Sequence, residues 1–222
     1  IRIRIRPGVY EERPLTFPRR VSGEKQTLRY NIDATFGGSF YSDLLRSIAS
    51  LRYPLHGLAG YAVDGAAERE PIIRRLQRSG IPLRGLFKVL LLKRLESSLH
   101  ALHVSLTRLL DRLTAAALAL DKQKVVVENR QLSDLDDDSE PDLVSDAALQ
   151  LDSRLFDVER LASDIDADRA SVRTIMRSVQ ELLERADPKV ERLEKYLEAR
   201  PPRDHRTIIF TQFADTALHL GK

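Results

Sequence analysis

The chain of 222 residues carries a net charge of +3, and 42% of its residues are hydrophobic, so it is long enough for one medium or two small folded units. It contains no cysteine, which excludes disulfides and cysteine-based zinc sites and fits a reducing compartment. No apolar run reaches the roughly 18 residues of a membrane span, and no signal peptide is recognisable. We therefore expect a soluble, cytoplasmic protein without membrane contact.

Short alternating runs of apolar and polar residues begin the chain. Residues 1–6 alternate Ile and Arg, and residues 27–33 alternate again, so each run predicts a short strand. Between them, two prolines favour an extended path over residues 15–20. The beginning of the chain, residues 1–35, is therefore predicted to be extended.

The pattern then changes to that of a helix. An amphipathic helix is predicted over residues 39–53, with Pro54 ending it. Residues 55–67 are small and interrupted by glycine, which indicates a loop or a loose helix. A short helix is predicted over residues 70–76, because a proline stands in its first turn, and the Ser-Gly-Ile-Pro stretch at 79–82 closes it.

The strongest pattern in the chain covers residues 86–120. Eight leucines and one alanine recur in alternating steps of three and four residues, which keeps them on one side of a helix. They are Leu92, Leu95, Leu99, Leu102, Leu106, Leu109, Leu113, Ala116 and Leu120. Polar side chains fall on the opposite side, at Lys93, Arg94, Ser97, Arg108 and Arg112. We expect one long helix packed against another as in a coiled coil, although a core helix of an ordinary bundle explains the leucines as well.

Two segments follow this helix. Residues 125–127 are three valines, which either continue the helix or form a brief extended segment. Residues 133–142 are acidic and contain a proline, which predicts a flexible loop. Its aspartates resemble those of a calcium-binding loop, but Ser139 and Ser145 stand where that loop needs Gly and Glu, so we reject a calcium site.

Helices are then predicted over residues 146–164 and 168–186. The second repeats the three-and-four spacing, which makes it the predicted partner of the long helix. An Asp-Pro pair at 187–188 begins another helix. Residues 207–211 predict a buried strand, and a helix opens at 215–220. The predicted fold is therefore mainly α, a long helical hairpin or bundle with short extended segments at the start and one β-strand at the C-terminal end.

Charge is divided unevenly along the chain. Residues 66–130 hold 13 Lys/Arg against 6 Asp/Glu, whereas residues 131–168 hold 2 against 13. The basic half could face nucleic acid, or the two halves could neutralise each other across a hairpin. Seven basic residues near the start of the long helix could meet phosphates. They are Arg74, Arg75, Arg78, Arg84, Lys88, Lys93 and Arg94.

The residues indicate no catalytic centre. The chain has no glycine-rich phosphate loop with Lys and Ser/Thr, so it cannot bind a nucleoside triphosphate in the P-loop manner. His100 and His103 are close enough on a helix to share a metal ion, but no third ligand is evident. No carboxylate pair stands in an apolar context that would shift its pKa. We predict no catalytic residue, no metal site and no cofactor for this chain.

Three stretches together resemble the Swi/Snf-type helicase-like ATPases of the second helicase superfamily, particularly bacterial members. Residues 206–216 (RTIIFTQFADT) are similar to motif IV, the strand and turn that open the second RecA-like lobe. Residues 90–98 (LLLKRLESS) resemble a helix of the all-helical region before that lobe, and residues 15–20 resemble the extended element that leaves the first lobe. The order and separation of the three stretches also match.

The resemblance implies a place for the chain in the middle of a larger motor. Such proteins hydrolyse ATP between two lobes and move along double-stranded DNA, so ATP and Mg²⁺ are implied for the parent, with their motifs expected before Ile1 and after Lys222. The isolated chain is therefore not expected to be catalytic. By this resemblance residues 1–35 leave the first lobe, residues 36–200 form a helical insertion domain, and residues 201–222 begin the second lobe.

The resemblance also implies where DNA would lie. Thr211, Gln212 and Phe213 match the part of motif IV that approaches the DNA backbone. Together with the basic residues of the long helix, the predicted nucleic-acid-binding set is Lys88, Lys93, Arg94, Thr211, Gln212 and Phe213. One alternative function is a coiled-coil module that binds a protein partner, or dimerises, along the hairpin. A second alternative is a regulatory helical domain without nucleic-acid contact.

Overall fold

A computed structural model of the protein describes residues 2–6, 9–12, 27–29, 37–128, 148–184, 187–199 and 207–221. Helices dominate this part of the chain: α1 (Phe40–Ser50), α2 (Ala66–Arg69), α3 (Pro71–Ser97), α4 (Leu99–Asp121), α5 (Val158–Leu183), α6 (Pro188–Glu198) and α7 (Ala214–Leu220). A 3-10 segment spans Pro54–Tyr61, and a 3-10 turn spans Ser153–Leu155. Two antiparallel strand pairs complete it: β1 (Arg2–Arg6) with β2 (Val9–Glu12), and β3 (Lys124–Glu128) with β4 (Ala148–Asp152). The prediction of a mainly α fold is confirmed.

The core lies along the packed pair α4 and α5. The predicted leucine seam is buried from Leu95 to Ala116, and Leu102 and Leu106 are completely inaccessible. Helix α5 buries the predicted facing residues, Val172, Ile175, Val179 and Leu182. Burying one such side chain contributes about 1.5–3 kcal/mol, so this seam supplies much of the favourable free energy of folding. The prediction that these two segments are partners is confirmed.

The predicted single long helix is wrong, because it breaks at Ser98. This residue has an extended backbone (φ −163°, ψ 154°) and separates α3 from α4. Its Oγ accepts a hydrogen bond from the backbone N–H of Ala101 at 3.0 Å, which makes it the N-cap of α4. A serine can end one helix and begin the next because its hydroxyl replaces a missing backbone acceptor.

The predicted end of a helix at residues 79–82 is also wrong. Helix α3 continues through Gly80 and Pro82 to Ser97. Both sides of this interruption are held in the core, since Ile73 is buried on one side and Leu91 on the other. Burial of the flanking turns outweighs the hydrogen bond that proline cannot donate.

Residues 55–67 were predicted as a loop or loose helix, and their first part belongs to a buried 3-10 segment, Pro54–Tyr61. Pro54, Leu55, His56, Gly57, Leu58 and Tyr61 are all buried. Tyr53 leads into the segment with a left-handed backbone (φ 52°), an uncommon conformation for a residue with a side chain. A Cβ at position 57 would overlap the guanidinium of Arg84, so glycine lets this side chain lie against the segment. The segment therefore belongs to the centre of the fold.

The valines at 125–127 form strand β3, which resolves their assignment. Strand β3 pairs with β4 in register Val125 to Leu151 and Val127 to Leu149, and both valines are buried. The predicted helix from residue 146 is therefore wrong, since residues 148–152 are a strand and α5 begins only at Val158. Helix α5 then continues through residues 164–168, where the sequence suggested two separate helices.

The predicted buried strand at 207–211 is wrong as well. These residues have no regular secondary structure, and the side chains of Ile208 and Phe210 are 75% and 89% exposed. A buried strand needs neighbouring strands on its edges, and none lies beside it in the described residues. The helix predicted after it is present as α7, beginning at Ala214.

Several shorter predicted elements are confirmed, and others lie outside the described residues. The strand over residues 1–6 is confirmed as β1, and the apolar face of the first helix is confirmed by buried Leu44 and Ile48 of α1. Helix α6 begins as predicted, with Asp187 accepting hydrogen bonds from two backbone N–H groups. The stretch 15–20, the acidic loop 133–142 and most of 27–33 lie outside the described residues. Among the described helices, none combines the length and apolarity that crossing a membrane requires.

Candidate nucleic-acid interface

The break between α3 and α4 is covered by residues 207–221, called here the C-terminal segment. The hydroxyl of Thr216 lies 2.8 Å from that of Ser97 and 3.1 Å from that of Ser98. The hydroxyl of Thr211 lies 3.5 Å from that of Ser97. Ser98 and Thr216 are buried, so these hydroxyls have exchanged water for one another. The helix break is therefore an attachment point for a segment more than 100 residues further along the chain.

Arg94, in the last turn of α3, forms the charged part of the same contact. Its guanidinium is 2.7 Å from a carboxylate oxygen of Asp215 and lies over the ring of Phe213, 4.2 Å from the centroid. The guanidinium of Arg108, one helix further on, is 3.7 Å from the other oxygen of Asp215. The side chains of Arg94 and Asp215 are only 11% and 17% exposed, so solvent screens this pair less than a surface pair.

The structure brings together three of the six predicted nucleic-acid-binding residues. Arg94, Thr211 and Phe213 lie in one contact region, and Phe213 is 3% exposed beneath the Arg94 guanidinium. Lys93 and Gln212 are exposed next to them in the chain. Lys93 and Gln212 are therefore open to a partner, whereas Phe213 serves the contact between α3 and the C-terminal segment.

Lys88 lies apart from this group. It precedes Arg94 by six residues on α3, about 9 Å along the helix axis. Its ammonium donates to the carbonyl of Ala49 at 2.7 Å and lies 5.9 Å from the ring centroid of Tyr53. Arg84 is turned inward in a similar way, donating to the carbonyl of Gly57 at 2.8 Å. Part of the basic cluster seen in the sequence therefore holds α3 against α1 and the 3-10 segment.

A cleft of about 700 Å³, counting its open mouth, adjoins the helix break. Its walls come from Ser97 and Ser98, from α6 and from the C-terminal segment. Lys189 of α6 closes one side, because its ammonium donates to the carbonyls of Glu96 at 2.7 Å and Ser97 at 3.0 Å. These carbonyls belong to the last turn of α3 and have no acceptor role within the helix, so Lys189 caps it.

Sequence reasoning missed a network of carboxylates on α5. Asp168 is buried and accepts hydrogen bonds from the backbone N–H groups of Arg52 at 2.9 Å and Tyr53 at 2.8 Å. Burial raises the pKa of Asp168 despite these bonds. Asp164, one turn earlier, accepts from the Tyr61 hydroxyl at 2.6 Å and from the Arg52 guanidinium. Burial opposes ionisation of Asp164, but these two hydrogen bonds outweigh it and lower its pKa.

His56, in the 3-10 segment, was also missed. It is 2% exposed, and its ring contacts that of Phe87 with centroids 3.5 Å apart and the ring planes tilted by 33°. Neither ring nitrogen has a hydrogen-bond partner in the part of the chain that the structure describes. Burial, together with the positive charges of Arg112 and Arg84, holds the pKa of His56 well below its usual range. No spacing in the sequence distinguishes this histidine from an exposed one.

The two histidines weighed as metal ligands, His100 and His103, lie half-buried on α4. His100 stacks on His219 of α7, with ring centroids 4.4 Å apart and an angle of 10° between the rings. No group of three or more His, Cys, Asp or Glu side chains that could hold a metal ion occurs among the described residues.

Comparison with known proteins gives no identification. The chain matches no protein-family model, and no similar curated protein or solved structure was found. The functional argument therefore depends on the residues and their geometry.

Proposed function

We propose that the chain is the helical region of a DNA-dependent ATPase or translocase of the Swi/Snf helicase-like type, coupling movement of the motor lobes to the DNA track. In this proposal the stiff pair α4 and α5 carries force, and the C-terminal segment leads into the second lobe. ATP and Mg²⁺ would be bound by the lobes of the parent protein, which would act on double-stranded DNA in the cytoplasm.

The observation that carries the proposal is the contact between the end of α3 and the C-terminal segment. These are two of the stretches that resemble the family, and they are separated by more than 100 residues in the chain. Arg94 of one lies 4.2 Å over the ring of Phe213 of the other, and Ser97 bonds Thr216 at 2.8 Å. A motor needs such a link, because lobe movement must be transmitted to the helical region through a defined contact.

The distribution of charge supports the same function. The exposed cation Lys93 and the exposed amide Gln212 flank the contact. Basic and amide side chains at one surface are the groups that bind phosphates without reading sequence. A translocase needs this kind of contact, since it must hold DNA of any sequence.

Titration of labelled duplex DNA with the 222-residue chain tests the proposal. We expect binding at low salt that weakens at moderate salt, with log K falling by about 0.9 per log unit of salt for each phosphate contacted. Lys93→Glu should weaken binding at low salt at least about fivefold, because it replaces an attraction to phosphate by a repulsion. The matched control is Lys122→Glu, a charge reversal at an exposed residue that follows α4.

Two outcomes contradict the proposal. One is the absence of duplex binding at low salt. The other is an equal loss of duplex affinity in Lys93→Glu and Lys122→Glu. That result would reflect the net charge of the chain and not a binding surface at the helix break.

An alternative function, binding of a protein partner, is favoured by a different observation. Ile208 and Phe210 are 75% and 89% exposed, and Leu218 of α7 is 69% exposed. Exposed apolar groups of this size in one segment are typical of a protein contact. The leucine seam itself is covered by α5 of the same chain, so a partner would use another face. Sedimentation separates the two functions: a dimer that Phe210→Ser converts to a monomer, with no duplex binding, favours the alternative.

A further inference from the structure

Two arginines converge on one carboxylate beside the helix break. The guanidinium groups of Arg94 and Arg108 lie 2.7 and 3.7 Å from the two oxygens of Asp215. The side chain of Arg108 is 36% exposed, that of Asp215 is 17% exposed and that of Arg94 is 11% exposed, so the group opens to solvent on the Arg108 side.

This geometry suits a phosphate group. Guanidinium groups bind carboxylates and phosphates through the same paired N–H donors, and a phosphate has more oxygens and more charge to offer them. The Asp215 carboxylate already pairs with both guanidinium groups, so an anion that approaches them from solvent must displace it. The carboxylate therefore holds the position that a phosphate would take.

We propose that Arg94 and Arg108 form a phosphodiester-binding site of the DNA backbone, which Asp215 occupies as an internal competitor. The inference rests on the proposed function and specifies its regulation, because duplex binding and the contact of Asp215 with α3 and α4 then exclude each other. Docking of the C-terminal segment would weaken the grip on DNA, and its release would strengthen it.

The neighbours of the site favour nucleic acid over an acidic protein. Lys93, the exposed chain neighbour of Arg94, adds a cation that stays on α3 when the C-terminal segment is released. Lys and Arg side chains together are the usual donors to phosphate oxygens. We therefore name the DNA backbone as the ligand and treat an acidic protein as an outcome of the test.

The test compares Asp215→Asn with Asp43→Asn in duplex titrations at several salt concentrations, using the full chain. Asp43 is an exposed residue of α1 paired only across one turn with Arg46 at 3.0 Å, so its neutralisation changes net charge equally. We expect Asp215→Asn to bind duplex about tenfold more tightly than the original chain, with a salt slope steeper by about 0.9 for each phosphate gained. We expect Asp43→Asn to change affinity less than about twofold.

A second substitution keeps the inference falsifiable if Asp215→Asn also loosens the fold. Adding Arg108→Gln to Asp215→Asn should remove most of the gain in duplex affinity, since it deletes one of the two guanidinium groups that would bind the phosphate. Equal affinities of Asp215→Asn and Asp43→Asn overturn the inference while the proposed function stands. Absence of duplex binding by every variant overturns both. A gain for polyglutamate larger than the gain for duplex assigns the site to an acidic protein and overturns the inference as stated.

Discussion

At the scale of single residues, the groups that matter most to the fold are polar side chains whose burial depends on distant partners. Asp168 lies on α5, but the two backbone N–H groups that it binds are 116 and 115 residues away. A helical sequence shows which face a residue occupies and not what packs against that face. No pattern in the sequence therefore distinguishes Asp168 from the exposed carboxylates around it.

Replacing Asp168 tests its role as a structural acceptor. Asp168→Ala leaves the N–H groups of Arg52 and Tyr53 without an acceptor, and we expect the free energy of unfolding to fall by about 2–4 kcal/mol. Asp168→Asn should cost less, because the amide keeps one acceptor oxygen and removes a buried charge. Urea denaturation at neutral pH measures both changes.

Asp166 is the matched control on the same helix. Its side chain is 66% exposed and pairs with Arg169 at 2.8 Å across one turn, so Asp166→Ala should change stability by less than about 0.5 kcal/mol. Similar losses at the two positions would show that Asp168 is no more than a surface carboxylate.

His56 makes stability depend on pH with a definite sign. Its pKa in the fold is held well below 6.5 by burial, while the unfolded chain takes up a proton near pH 6.5. Above that pH, His56 is neutral in both the folded and the unfolded state, so its contribution to the free energy of unfolding does not change with pH. As pH falls below about 6.5, only the unfolded state binds the proton, so stability is lost at up to about 1.4 kcal/mol per pH unit.

Urea denaturation at pH 7.5 and pH 5.5 measures this effect. His56→Leu removes the titrating group at similar volume, so the loss of stability between the two pH values should be smaller than in the original chain by about 1.4 kcal/mol. His103→Gln, at a half-buried position on α4, is the control for removing a histidine elsewhere in the fold. An equal loss in the original chain and in His56→Leu would rule out His56 as the source.

At the scale of elements, the periodicity of apolar residues predicted the features that depend on one helix face. It missed the features that depend on a neighbouring helix or strand. The seam of α4 and the facing residues of α5 follow from their spacing, because a helix side must be apolar to be buried. Strand β4 carries no such signal, since residues 148–152 become a strand only by pairing with β3. The passage of α3 through Pro82 likewise depends on the core around it.

The helix break gives a prediction at this scale. Ser98→Ala removes both the cap of α4, a 3.0 Å bond to Ala101, and the 3.1 Å contact with Thr216. We expect a loss of about 1–2 kcal/mol in the free energy of unfolding. Ser178→Ala on α5 is the control, because its hydroxyl donates to the carbonyl of Thr174 in its own helix, and it should cost less than about 0.5 kcal/mol. Equal losses would mean that Ser98 does not cap α4.

At the scale of the whole molecule, the candidate site joins parts of the chain that no local pattern connects. Lys93 and Arg94 were selected from the basic cluster at the start of the long helix, and residues 211–213 were selected from the resemblance. Their partners Asp215 and Thr216 were not selected, because an ion pair or a hydroxyl contact across more than 100 residues has no spacing to be recognised by. Sequence reasoning thus named residues of both stretches as nucleic-acid-binding, but it predicted neither their contact nor the bonds that hold it together.

Phe213 is the residue on which attachment of the C-terminal segment depends. It is 3% exposed beneath Arg94, whereas Phe210 in the same segment is 89% exposed. Phe213→Ala removes about 3–5 kcal/mol of packing from a segment whose apolar side chains are otherwise largely exposed, so we expect the segment to detach while the seam of α4 and α5 stays folded. Hydrogen exchange should then show loss of protection in α7 alone.

Phe210→Ala separates detachment from a general effect of losing an aromatic ring. The phenyl group of Phe210 is in solvent, so its removal should leave exchange in α7 unchanged. Loss of protection in both variants, or in neither, would contradict a contact centred on Phe213. Loss along α4 as well would mean that the segment and the seam unfold as one unit.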